Sequence, residues 1–227
     1  MGFRMKINYS DMVLEVFEPF FASYWNRKWP KNTVSYVVKK GERIVMTNFL
    51  KECVVDPAMM DVFRSFESMY PTYARVSTER LMWMIERFVI KTIHYKRDKN
   101  VWNQVEYWQT PTETWKKRTG DCEDGAILIL ALAHYMGIDA YRLKLCAGYV
   151  KLDKKGKLGG HAYIIFLRND MTWTICDWCY WPKRQLIEHR MEHRYNPSYS
   201  EIWWTSNWQF SWAQQNVWLG FEGFEIR

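Results

Sequence analysis

Gly120-Asp121-Cys122-Glu123-Asp124-Gly125-Ala126-Ile127-Leu128-Ile129-Leu130-Ala131-Leu132-Ala133-His134-Tyr135-Met136-Gly137 is the stretch that decides the fold. From Cys122 to Met136 it is apolar on every side and carries no breaker but Gly125, so it reads as a mostly buried helix that Gly137 stops. Its first turn bears a thiol between carboxylates. Helix N-termini present unpaired N–H groups and a partial positive charge, so the Cys122 thiol is expected to ionise more easily than a free one. The same N–H groups could steady an oxyanion on an attacked carbonyl. Downstream, Tyr141 to Val150, Gly160 to Leu167 and Met171 to Cys176 read as three strands, separated by Lys154-Lys155-Gly156-Lys157 and Asn169-Asp170. A buried helix before an antiparallel meander is an α+β arrangement.

A nucleophilic cysteine needs a base, and the base needs an acceptor that orients it. Gly159-Gly160-His161-Ala162 sets His161 at the start of one strand, and Asp177 ends the next. If those strands form a hairpin about Asn169-Asp170, position 161 lies across from a position near 177, so the two side chains are expected to meet.

These residues resemble a known family. Tyr107-Trp108-Gln109-Thr110-Pro111-Thr112-Glu113-Thr114, Gly120-Asp121-Cys122-Glu123-Asp124 with its helix, Gly137-Ile138, Gly160-His161-Ala162 and the Asp177 strand are together similar to bacterial transglutaminase-like cysteine proteinases. The similarity runs over roughly residues 88 to 180. It implies a papain-like core in the transglutaminase arrangement, with Cys122 as nucleophile, His161 as base and acid, and Asp177 orienting the imidazole. Proteins of this kind hydrolyse peptides, cross-link or deamidate glutamine, acetylate arylamines or remove glycans. The expected activity is therefore that of a cysteine-dependent amide hydrolase or acyltransferase working through a thioester, a protease first, on a protein or peptide substrate. Trp178 and Cys179 depart from the usual small or polar residues after the aspartate. For the oxyanion hole the Cys122 N–H is one donor, and Trp108 and Gln109 are candidates for the second.

Composition bounds the rest. The chain has 227 residues, 48% of them hydrophobic and 25% charged, which excludes disorder and coiled coil and fits one large domain. A net charge of +7, 18% aromatic residues and 14 Trp raise nucleic acid as a partner. The basic residues are scattered, however, and eight Trp lie at or after Trp173, outside most of the resemblance, so nucleic acid is not the expected partner. The competing reading is a catalytically silent protein that offers this aromatic, basic surface to a protein or nucleic acid. No apolar run is long enough for a membrane span and no export signal is read; five irregularly spaced cysteines fit a reducing, cytoplasmic setting. Oligomeric state is left open.

Three parts are expected: a mixed extension over 1–75, the catalytic core over 76–180, and a Trp-rich extension over 181–227 packed on the core. In the first, residues 33–46 suggest a hairpin and Asp56-Pro57 opens a helix to Met69. Ser77 caps a helix to about Ile93, and Thr112 caps a short one through Lys117. Trp204, Trp208 and Trp212 would share one side if their segment is helical. His134 reads as a packed histidine and Cys53 as a packed thiol, while His94 and Cys146 have no evident partner. Cys176 and Cys179 with His189 and His193 have zinc-like spacing, but the gap is too short and Cys176 faces away, so neither a metal nor a cofactor is expected.

Overall fold

The structure is a computed structural model that describes residues 36–39, 42–151, 153, 155–180 and 184–213. Residues 1–35 and 214–227 lie outside it, and with them the first part of the expected N-terminal extension and the end of the Trp-rich one.

A hairpin of β1 (Tyr36–Lys39) and β2 (Glu42–Val45) leads into helices α1 (Met46–Val54), α2 (Met59–Met69) and α3 (Thr78–Thr92). Ser77 caps α3 by accepting the Arg80 N–H at 3.2 Å. Next come β3 (His94–Tyr95), α4 (Asp98–Val101), α5 (Pro111–Lys117), the two-residue strand β4 (Thr119–Gly120), which pairs parallel with β3, and α6 (Cys122–Tyr135). The cap of α5 is Thr110 rather than Thr112: Pro111 occupies the first helical position, so the capping residue is the one before it, in a box closed by Glu113. Thr112 instead donates to Asp56 Oδ1.

Strands β5 (Leu143–Lys151), β6 (Leu158–Leu167), β7 (Trp173–Cys176), β8 (Tyr199–Ser206) and β9 (Ser211–Ala213) form one antiparallel sheet in the order β7-β6-β5-β8-β9. The expected meander is its β5-β6-β7 half. In the other half the condition set for the tail is not met, because the segment is not helical. Trp204 and Trp212 sit on paired strands and Trp208 in the turn between them; Ile202-Trp203-Trp204-Thr205 is a β-branched and aromatic run, which suits a pleated surface better than a helix.

Helix α6 is the centre of the molecule. Its residues from Glu123 to Ala133 are all buried, enclosed by α1, α2, α3 and α5 on one side and by β5 and β6 on the other. Ala147, Ile164, Phe166, Trp203 and Trp204 of the sheet belong to this core, while Cys146, Tyr163, Ile165, Tyr199 and Trp212 pack on the opposite face. Trp203, Trp204 and Trp212 are thus interior residues, each withdrawing on the order of 150–250 Å² from water. Gly125 is needed where α6 meets Trp178, because a Cβ there would stand 2.2 Å from the indole. All five cysteines are free thiols, and no described helix is long and apolar enough to cross a membrane.

Candidate active site

Asp177 follows directly on β7, and its carboxylate meets the His161 ring from β6: Nε2 to Oδ2 is 2.7 Å, with both side chains fully buried. The expected proximity holds, with a different register. Pairing ends at Ile164↔Cys176, so Asp177 falls diagonally from His161 rather than opposite it. Asp177 is densely bonded. Oδ2 also accepts the Tyr199 hydroxyl at 2.5 Å, and Oδ1 accepts the Cys179 N–H at 3.0 Å and the Tyr180 N–H at 3.4 Å. Burial opposes its charge, but His161 and these donors prevail and hold the carboxyl down at about 2. With Nε2 so engaged, Nδ1 of His161 is buried and without a hydrogen-bond partner.

Cys122 stands half-buried at the first turn of α6. Its Sγ donates to Glu123 Oε2 at 3.1 Å, and no hydrogen bond joins it to His161. The helix terminus does not win its thiol over to the thiolate as expected. Burial, and then the charge of Asp121, push the Cys122 thiol up, against a pull from the Ala162 N–H. Trp178 crowns the same turn by donating its indole N–H to the Cys122 carbonyl at 3.0 Å. Tyr180 stands edge-on to His161 with ring centres 4.5 Å apart, and Tyr95, 43% exposed, touches both Trp178 and Tyr180. An aromatic wall beside the thiol therefore exists, made of these three residues rather than of the distal Trp cluster.

Both upstream candidates for the second oxyanion donor are engaged by carboxylates. The Trp108 indole N–H is given to Glu106 at 3.0 Å, and both the backbone and side-chain amides of Gln109 are given to Asp124, at 2.8 and 2.5 Å.

A carboxylate cluster beneath the thiol was not foreseen. Ligand oxygens of Asp98, Asp121 and Asp124 lie within 4.8 Å of one another, as do those of Asp98, Glu106 and Glu123. Asp124 is satisfied by Gln109 and the Asp121 N–H, but Asp98 Oδ1, Asp121 Oδ1 and Glu123 Oε1 are buried with no partner. Burial and the Asp121 charge push Asp98 up to about 8 and Glu106 up to about 7. The Asp-Cys-Glu-Asp run was the available signal, but Asp98 and Glu106 join it only through the fold. The zinc-like set does not gather: Cys176 Sγ lies by Arg190, Cys179 Sγ by Asp177, and His193 Nε2 by the Tyr163 hydroxyl.

A thiol on the first turn of a central helix, beside a buried histidine–carboxylate pair on an antiparallel sheet, defines an α+β fold of the papain-like kind. The chain belongs to the family described as Transglutaminase-like domain, whose profile matches residues 65–183. No curated protein matches it by sequence. Among solved structures, Legionella pneumophila LapG in its calcium-bound form is 14% identical with a TM-score of 0.52, covering 76% of this chain and 90% of that one. The EGTA-treated form of LapG gives the same identity and TM-score and covers 76% and 87%. A protein of Cytophaga hutchinsonii, titled a cysteine protease, is 19% identical over 62% of this chain and 44% of its own, with a TM-score of 0.42. At these identities the likeness to LapG is one of fold.

Proposed function

We propose that the chain is a cysteine-dependent amide hydrolase acting on a protein or peptide in a reducing, cytoplasmic setting, with Cys122 as nucleophile and His161 and Asp177 as its acid–base pair. The observation that carries this reading is the His161 ring, bound through Nε2 to a carboxylate saturated with donors and left with a partnerless Nδ1 on a buried site. That arrangement favours the tautomer with its proton on Nε2 and a basic Nδ1. Rotation of the Cys122 side chain away from Glu123 would offer its proton to Nδ1; hydrogen bonds of this kind often tighten only with substrate.

Sγ then attacks the amide carbon, forming a C–S bond, and the carbonyl oxygen takes the negative charge beside the Cys122 N–H. The C–N bond breaks as Nδ1 passes its proton to the leaving amine, which yields a thioester. Water, giving a proton to Nδ1, attacks the thioester; the C–S bond breaks and the thiol is restored. An amine in place of water would make the same site an acyltransferase. The position of Cys122 Sγ on Glu123 favours the competing reading, a fold kept for binding without turnover. Alkylation with iodoacetamide separates the two: an active site requires Cys122 to react faster than buried Cys53 and Cys122→Ala to abolish amide hydrolysis, whereas equal reactivity and unchanged activity would sink it.

Two carboxylate groups share Asp98, one with Asp121 and Asp124 and one with Glu106 and Glu123, and each holds an orphaned buried oxygen besides that of Asp98; such an all-oxygen set fits a hard divalent cation, since it suits calcium and is costly when left uncompensated. Such an ion would supply the positive charge that lets these acids ionise together next to Cys122. LapG has been solved with calcium, which makes calcium the first ion to try. Calcium should raise the melting temperature of the wild-type protein and leave Asp98→Asn unmoved; an equal response in both would rule this site out.

A further inference from the structure

The His161–Asp177 pair receives a donor from an element that the family profile does not reach. Tyr199 opens β8, beyond the matched residues 65–183, and its hydroxyl donates to Asp177 Oδ2, the oxygen that also accepts His161 Nε2–H. We propose that Tyr199 is a positioning residue for the catalytic pair: by occupying the second acceptor site of Oδ2 it fixes the rotation of the Asp177 carboxylate, and through it the His161 ring. The proposal rests on the acid–base role given to His161 above.

Three observations argue for a built arrangement. Tyr199 is buried, and its ring stands edge-on to Tyr163 at 4.7 Å and 66°, while Tyr163 lies nearly parallel to His161 at 5.9 Å and 23°. The three rings therefore set one another's places. Second, burial and the Asp177 charge push the Tyr199 hydroxyl up, so it stays a protonated donor wherever Asp177 is ionised. Third, the register that brings Tyr199 to Asp177 is irregular. β8 pairs with β5 through shifts between Ala147 and Gly148 and again between Tyr149 and Val150, where Val150 faces Tyr199. Gly148 makes the close approach possible, since a Cβ there would stand 1.8 Å from the Glu201 carbonyl oxygen. Two register shifts and a glycine contact thus accompany one hydroxyl on one carboxylate oxygen, and bulges commonly re-aim a side chain near an active site.

The remaining donors to Asp177 belong to the following turn and hold Oδ1: the backbone N–H groups of Cys179 and Tyr180, and the Cys179 thiol at 3.7 Å. Without Tyr199, Oδ2 is held by His161 alone, and the carboxylate and imidazole are free to tilt together.

Tyr199→Phe removes the hydroxyl and keeps the ring. With a hydrolysable peptide amide, kcat is expected to fall roughly tenfold, the scale of one hydrogen bond to a charged group, with KM little changed. In protein labelled with ¹⁵N-histidine, the His161 Nε2–H resonance should shift and exchange faster with water. Tyr163→Phe, whose lost hydroxyl faces His193 rather than Asp177, should leave that resonance in place. A second measurement needs no variant: the wild-type Tyr199 hydroxyl proton should give a downfield signal with a cross-peak to His161 Nε2–H. Wild-type kcat and an unmoved resonance in Tyr199→Phe, or absence of the cross-peak, would overturn the proposal. If the wild-type protein turns over no amide while the resonance arms behave as expected, the hydrolase reading fails and the positioning role stands.

Discussion

Replacing Gly125 by Ala puts a single methyl group against the turn that carries Cys122. A Cβ at this position lies 2.2 Å from Trp178 Cε2, 2.4 Å from Nε1 and 2.6 Å from Cδ2. Carbon atoms in contact settle at about 3.5–4.0 Å, so the overlap is roughly 1.5 Å against three atoms of a rigid ring. Trp178 cannot simply withdraw, because it is 4% exposed and its N–H is tied to the Cys122 carbonyl. In an exposed helix Gly to Ala would add about 1 kcal/mol of stability. Here overpacking against three ring atoms lies at the upper end of the usual 1–3 kcal/mol and outweighs that gain, for a net loss of about 1–2 kcal/mol. At roughly 2–4 °C per kcal/mol for a chain of this size, melting should fall by about 2–8 °C, read by calorimetry or circular dichroism. The sign should reverse once the ring is gone: in a Trp178→Ala background the same change should stabilise by about 0.5–1 kcal/mol, a coupling that a double-mutant cycle measures directly. A neutral or stabilising Gly125→Ala in the otherwise unaltered protein would refute the packing described for α6 and Trp178.

The Asp177 carboxyl, held at about 2 against an ordinary 3.8, contributes stability that is present above pH 4 and lost as pH falls toward 2, on the order of 2 kcal/mol. Urea denaturation of wild type and Asp177→Asn at pH 6, 4 and 3 should show a gap that narrows below pH 4; a gap independent of pH would contradict it. Arg190 binds Glu86 through both nitrogens at 2.9 and 2.6 Å, buried, and also holds the Ile175 carbonyl just before Asp177. Arg190→Met strands the Glu86 charge and should cost roughly 3–5 kcal/mol, much of it regained in the Glu86→Leu double variant; a mild effect of Arg190→Met alone in urea would argue against the buried pair. Thr110→Ala removes the cap of α5 and should cost about 1 kcal/mol by thermal melting, whereas Thr112→Ala, which keeps the cap, should not loosen that helix end; the reverse order would restore Thr112 as the cap.

Periodicity and turn chemistry made the core legible. An unbroken apolar run can only be an interior helix, and strand-length runs around Asn169-Asp170 can hardly avoid a meander that brings 161 near 177. What escaped the sequence depends on distant partners. Trp204 and Trp212 recur at helical spacing by coincidence, and only the free edge of β5 turns their segment into strands. The carboxylates that bind the Trp108 indole and the Gln109 amides, Glu106 and Asp124, become their neighbours only through the fold. The thiol expectation failed because burial, and after it the charge of Asp121, outweigh the partial charge of a helix terminus. Asp98 and Glu106 gave no local sign, being 24 and 16 residues before Cys122 and joined to it only by the packing of α4 and its following loop on β4.

A nucleophilic Cys122 requires a covalent acyl intermediate on its Sγ. Intact-protein mass spectrometry after acid quenching, during incubation with a library of peptide amides, detects it. An added acyl mass is expected, placed on Cys122 by peptide mapping and lost in Cys122→Ala. Hydrolysis that persists in Cys122→Ala, or an acyl group found on another residue, would contradict it.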